Sequence, residues 1–375
     1  MPRHNCFDHQ RYDDRPSSDR FRFLHPPAPA EPGTDAWRHQ LALAGQKLQE
    51  AKVSAIYLVH GTFAGTDVSG IYREIRRVAP GLAVSLSEFQ KQLIDRLAQD
   101  MANYTDEFAR RFAEGINGTA DQAIEVKRFF WSSENHHAGR AIAALQLLVE
   151  LDQHAHETGS LVLWGHSHAG NVFAIVSNLL GGTRSDRQRF LAAFGTWLAR
   201  LDPVLWEAGT RLLDSAQPLL RVPVDIVTFG TPLRYGWDSN GYRHLIHFVN
   251  HHAMIEPAHR VPFPPTAEQL RQSEAGDYFQ QLFIAGTNFP PGIWAWGQWK
   301  VERQLGQLLQ SGVPSQEIVQ ALSHGRRVAA DGQTLLVDYN AVDDEARTLT
   351  GHAVYTRLKW LPFHAATVAD ELRAS

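Results

Sequence analysis

Three short runs, VSAIYLVHG at 53–61, SLVLWGHS at 160–167 and VPVDIVTFG at 222–230, are almost continuously apolar, and each runs into a glycine. A strand wetted on one face alternates apolar with polar residues. Uninterrupted runs of this length instead describe strands covered on both faces, the condition of a parallel sheet. IEVKRFFW at 124–131, HLIHFVN at 244–250 and TLLVDYN at 334–340 extend the series. Helical patterns fall between them. Asp35 is placed to cap a helix reaching about Lys52. Residues 85–117 carry Phe89, Leu93, Ile94, Leu97, Phe108 and Phe112 at helical spacing, and Arg140 to Leu151 and Asn171 to Leu180 are strong helices. Strands alternating with helices predict an α/β fold, a mostly parallel sheet with helices on both faces. Two stretches break the rhythm, a helical insertion at about 181–221 and a long excursion at about 253–330. Both are expected as cap-like insertions in one domain spanning 35–375. Residues 1–34, polar and then proline-rich, are expected to form a flexible N-terminal arm.

Composition narrows the function. The formal net charge of −4 and the lack of a nucleic-acid-binding motif argue against a polyanion partner. The single cysteine, Cys6, cannot form an internal disulfide, so the fold does not depend on oxidation. The N-terminus has no apolar core of a secretory signal, and no apolar run is long enough to span a bilayer. These features are expected of a cytoplasmic protein without a transmembrane segment.

The sharpest motif is GHSHAG at 165–170, set between the strand LVLW and the helix NVFAIVSNLL. A serine in a tight strand-to-helix turn presents its hydroxyl at the end of the sheet, and the turn needs small residues two positions either side. Gly165 and Ala169 meet that need, with Gly170 adding room. The hydroxyl is a weak nucleophile and requires an adjacent base. HGTFAG at 60–65 follows an earlier buried strand, where backbone N–H groups of Thr62 or Phe63 would join that of His168 in holding a tetrahedral oxyanion.

The arrangement HGTF, GHSHAG and then FGTP at 229–232 resembles the α/β-hydrolase superfamily, and within it bacterial lipase- or esterase-like serine hydrolases. FFWSSENHHAGR is similar to segments of bacterial hydrolases of that group. The resemblance spans roughly residues 53–365 at the level of fold, and only the elbow is specific enough to carry a residue role. It implies Ser167 as nucleophile and a chain order of serine, acid, histidine. Among 19 histidines, His352 in TGHAVYTR sits in a loop after the last apolar strand and is the expected base. His364 lies in a terminal helical pattern and is expected to be packed.

The acid is open at this level. In lipase-like sequences the region following the strand after FGTP reads N-x-x-D-x-I/V-P, whereas this chain reads NHHAMIEP, with Ala253 at the expected aspartate. Asp277, in GDYFQQL, has the right chain interval. Asp338 ends the last strand beside the histidine loop. Glu256 and Asp238 are outside candidates. The pairs His136–His137, His166–His168 and His251–His252 suggest metal ligation only weakly, since no HExxH, CxxC or clustered-aspartate motif accompanies them. No metal or cofactor is expected.

The implied activity is hydrolysis of a small-molecule or lipid carboxylic ester. The alternatives are an amidase or thioesterase using the same site, and a non-catalytic binding protein of the same fold. The apolar 189–220 segment and GIWAWGQW suggest an apolar acyl site, or, more plainly, packing onto the main domain.

Overall fold

The structure is a computed structural model that describes residues 7, 9–13, 15–61, 104–118, 123–153, 158–262, 264–283, 296–310, 325–343 and 351–374. Seven strands, β1 (Phe21–Leu24), β2 (Val53–Val59), β3 (Glu125–Phe129), β4 (Ser160–His166), β5 (Val224–Phe229), β6 (His244–Asn250) and β7 (Gln333–Val337), form one sheet in the order β1-β7-β6-β5-β4-β2-β3. Every pairing is parallel. The chain therefore has an α/β fold. The apolar runs that predict buried strands do so because the side chains of β4 point alternately into two hydrophobic layers. Leu161 and Leu163 belong to one, Val162 and Trp164 to the other.

Helices line both layers. In chain order they are α1 (Asp35–Glu50), α2 (Asp106–Ile116), α3 (His137–Gln153), α4 (Ala169–Gly181), α5 (Arg184–Phe194), α6 (Trp197–Leu201), α7 (Pro203–Leu213), α8 (Ala267–Gln272), α9 (Tyr278–Phe283), α10 (Trp296–Gln310) and α11 (Leu361–Arg373). Residues of α1, α2 and α11 pack on one face, and those of α3 and α4 on the other. Thr34 and Thr105 cap α1 and α2 by accepting from the amides of Trp37 and Phe108. The stretch 85–103 lies outside the described residues, so only the second half of the 85–117 pattern is placed, as α2.

Two expectations change. The N-terminal segment expected to be a flexible arm contributes β1, whose Phe21–Leu24 pair with Thr334–Val337 of β7. Tyr12 bridges to Ala329, and its buried hydroxyl accepts from the amide of Leu233. An edge strand half in water needs no long apolar run, so FRFL leaves little trace in the sequence.

The 181–221 segment forms α5, α6 and α7, which lie against α3 and α10. Phe190, Phe194, Leu198, Leu205 and Leu213 enter the same core layer as Leu145 and Leu148 of α3. These apolar residues are core. Among the described residues no helix is long and apolar enough to cross a membrane.

Candidate active site

Parallel strands bring their carboxyl ends to one edge of the sheet, and α/β proteins place their chemistry there. Ser167 follows β4 at that edge with φ of +55°, a left-handed backbone that a non-glycine residue adopts only when its surroundings enforce it. Those surroundings come from FGTP, which follows β5. The Ser167 amide donates to the Phe229 carbonyl at 2.8 Å, and the Thr231 hydroxyl donates to the Ser167 carbonyl at 2.7 Å. The Pro232 carbonyl accepts from the Asn171 side chain at 2.9 Å on the first turn of α4. The motif after one strand thus fastens the turn after its neighbour.

Gly61, after β2, lies against the serine. A Cβ there would stand 2.7 Å from the Ser167 Cβ. Trp131 Nε1 donates to the His60 carbonyl at 2.9 Å, and Ser133 Oγ lies 3.2 Å from His60 Nδ1. The segment FFWSSENHH therefore holds the chain that passes beside Ser167. Glu302 of α10 completes this corner. Its two carboxylate oxygens accept the amides of His137 and Ala138 at 2.8 Å each, at the positive end of α3.

Asp277 and His352, 75 residues apart in the chain, meet. His352 Nδ1 lies 2.8 Å from Asp277 Oδ2, with the carboxylate fully buried. The His352 ring lies 4.6 Å, centroid to centroid, from that of His166, the residue preceding Ser167, and His166 Nε2 lies 3.1 Å from the His352 carbonyl. The imidazole is thereby set beside His166, at the carboxyl end of β4.

Asn250, the last residue of β6, holds both newcomers. Its carbonyl accepts from the Asp277 amide at 2.9 Å, and its side-chain amide donates to the Gly351 carbonyl at 3.0 Å. Gly276 and Gly351, each preceding one of the pair, have φ of +89° and +75° and lie back to back.

Burial pushes the Asp277 carboxyl up, but the charge and hydrogen bond of His352, the nearby Arg327 and the Gln280 amide outweigh it. They hold the group below the usual aspartate range. Arg327, itself buried, also donates to the Asp277 carbonyl, and to Gln280 Oε1 at 2.8 Å.

The other expected residues go elsewhere. Asp338 pairs with His252, its Oδ2 2.9 Å from His252 Nδ1. Ala253 is exposed. Glu256 is exposed, and Asp238 caps a short turn by accepting from the Asn240 amide. Thr62 and Phe63 lie outside the described residues. His168 is fully buried at the start of α4, its Nδ1 3.2 Å from Asn171 Nδ2. His364 is buried against Tyr339, 2.6 Å from its hydroxyl.

The histidine pairs are used separately. His137 Nδ1 meets the Tyr235 hydroxyl at 2.7 Å, and His136 Nδ1 accepts from the Gly139 amide at 2.9 Å. His251 Nε2 meets the Ala258 carbonyl at 2.7 Å. Among the described residues no group of three or more such side chains is placed to hold a metal ion.

Sequence reasoning assigned no role to Asn250, Gly276, Gly351, Tyr355 or Arg327. Glycine immediately before both Asp277 and His352 is the one signal that could have pointed there. Comparison of the chain with protein-family models, curated proteins and solved structures returns no match.

Proposed function

We propose that this protein is a serine hydrolase of the α/β-hydrolase type, cleaving carboxylic esters through an acyl-enzyme on Ser167. One observation carries the reading. His352, bonded at 2.8 Å to the buried carboxylate of Asp277, lies with its ring tilted against that of His166, the residue before a left-handed serine at the end of a parallel strand. A carboxylate on Nδ1 fixes the imidazole tautomer and leaves Nε2 as the basic nitrogen.

In this mechanism His352 Nε2 takes the proton of Ser167 Oγ as the oxygen attacks the ester carbonyl. The His168 amide, at the positive end of α4, donates to the resulting oxyanion together with an amide of Thr62 or Phe63. The tetrahedral species collapses as His352 returns the proton to the departing alcohol. Water then enters, gives its proton to His352 and attacks the acyl carbon, releasing the acid and restoring Ser167. Asp277 stabilises the imidazolium in both halves.

The test is labelling with a fluorophosphonate, followed by a chain-length series of p-nitrophenyl esters. Ser167→Ala is expected to abolish labelling and to lower turnover on the order of a million-fold, as loss of such a nucleophile does. Covalent labelling retained in that variant would overturn the assignment.

A further inference from the structure

The segment that carries the base carries a second buried polar group three residues on. Tyr355 lies in the short helical turn Ala353–Thr356 that follows His352, and its side chain is fully buried. Its hydroxyl is held at two points. The Asn250 amide donates to it at 2.7 Å, and it lies 2.9 Å from Asp277 Oδ2. A phenol has one proton. With the amide acting as donor to its oxygen, that proton is directed at the carboxylate. The same Oδ2 receives His352 Nδ1. Resting on the serine hydrolase reading, we infer that Tyr355 is a positioning residue. It shares the acid's histidine-facing oxygen and thereby sets both the orientation of the carboxylate and the basicity of the imidazole.

Among the described residues, the Asn250 amide and the Asp277 carboxylate are the hydroxyl's hydrogen-bond partners. Burial, and then the charge of Asp277, push its pKa well above the ordinary phenol value, so it remains a donor. Gly230 is shaped to the arrangement. At φ of +59° it faces both groups, and a Cβ there would lie 2.6 Å from Asp277 Oδ2 and closer still to the Tyr355 ring. The remaining groups around the carboxylate are accounted for. The Gln280 amide donates to Oδ1 at 2.9 Å, and Arg327 binds the main-chain carbonyl rather than the carboxylate.

A hydrogen bond donated to Oδ2 draws charge from the atom that bonds His352. Removing it leaves a more basic carboxylate, a tighter hold on the Nδ1 proton and a less well-fixed geometry.

The test uses the full chain with Tyr355→Phe. The expected result is a kcat lower by about tenfold at unchanged KM, and an acidic limb of the pH–rate profile displaced upward by about half a pH unit. The deshielded proton resonance of the His352–Asp277 bond, assigned by its loss in His352→Gln, is expected to move downfield. Site-specific 3-fluorotyrosine at 355 keeps the oxygen that the Asn250 amide needs but makes a stronger donor, so the limb and the resonance are expected to move the other way. That second variant stands even if the phenylalanine protein is poorly folded.

A fall in rate and melting temperature with the limb and resonance unmoved would overturn the proposal in favour of a packing role. If the wild-type chain neither hydrolyses esters nor labels, the serine hydrolase reading fails. The resonance still decides whether Tyr355 acts on the Asp277–His352 bond.

Discussion

Two carboxylate–histidine pairs lie near the carboxyl edge of this sheet, and their bond lengths barely differ: 2.8 Å for Asp277–His352 and 2.9 Å for Asp338–His252. Their surroundings do. The side chains of the first pair are 0% and 13% exposed, those of the second 13% and 47%. Asp277 also receives the Gln280 amide and the Tyr355 hydroxyl, while its backbone is tied to Asn250 and Arg327. His252 stands largely in water, where a charge pair is screened and contributes about 0–1 kcal/mol. Contact distance alone therefore does not identify a functional acid. The carboxylate worth proposing is the one whose shell fixes its rotamer and excludes solvent.

The largest effect is expected from neutralising the buried carboxylate. Asp277→Asn keeps the shape but removes the charge that stabilises the imidazolium and fixes its tautomer. Turnover of p-nitrophenyl esters is expected to fall by about ten-thousand-fold. A loss under tenfold in a folded protein would remove Asp277 from the mechanism. Next in size is Gly230→Ala. The added methyl meets Asp277 Oδ2 and the Tyr355 ring in a left-handed turn. Displacing a catalytic pair by about an ångström costs roughly a hundredfold in rate. The effect is expected in kcat rather than KM, and steady-state kinetics on the alanine variant separates the two.

How far the sequence reached follows from where its signals lie. The inner strands and the helices after them are legible because double-sided burial demands an unbroken apolar run, and the elbow because only small residues fit around Ser167. β1 is not, since four half-exposed residues on an edge need no such run. His352 stood out by chain order. The proposed acid did not, because its position depends on the long excursion returning Asp277 to Asn250 at the end of β6. Chain order favoured Asp277, nearness to the histidine loop favoured Asp338, and neither decided. Tyr355 was invisible for the same reason: a hydroxyl aimed at a carboxylate 78 residues away leaves no periodic trace.

The contrast between buried and wet side chains also sets the response to acid. Burial pushes His364 and His251 down to about 3 and His247 to about 4. All three are neutral in the folded protein and take up protons near 6.5 when unfolded. Their folded pKa values are lowered, so the unfolded chain binds more protons below about 6.5. The stability they confer is complete above that pH and is lost as pH falls toward 4. Each is expected to remove roughly 1.4 kcal/mol per pH unit across that window. His364→Gln, which can still meet the Tyr339 hydroxyl, is expected to melt with a shallower dependence on pH between 7 and 5. An unchanged slope by circular dichroism would show that His364 does not carry this linkage.

The smallest effect is expected at the exposed pair, and it sharpens the comparison most. Asp338→Asn removes the charge that faces His252 while keeping a side chain able to accept from its ring. Because His252 is nearly half exposed, water replaces most of what is lost, and stability is expected to change by less than about 1 kcal/mol. Ester turnover is expected to stay within about twofold of wild type, since among the described residues none links His252 to Ser167 as His166 links His352. Measured beside Asp277→Asn at the same pH and salt, this variant separates burial from mere proximity. Two carboxylates at equal distance from a histidine are expected to differ by more than a thousandfold in their effect on rate. A large loss for Asp338→Asn together with a silent Asp277→Asn would invert the assignment, and the acid would then belong to the end of β7 rather than to the excursion.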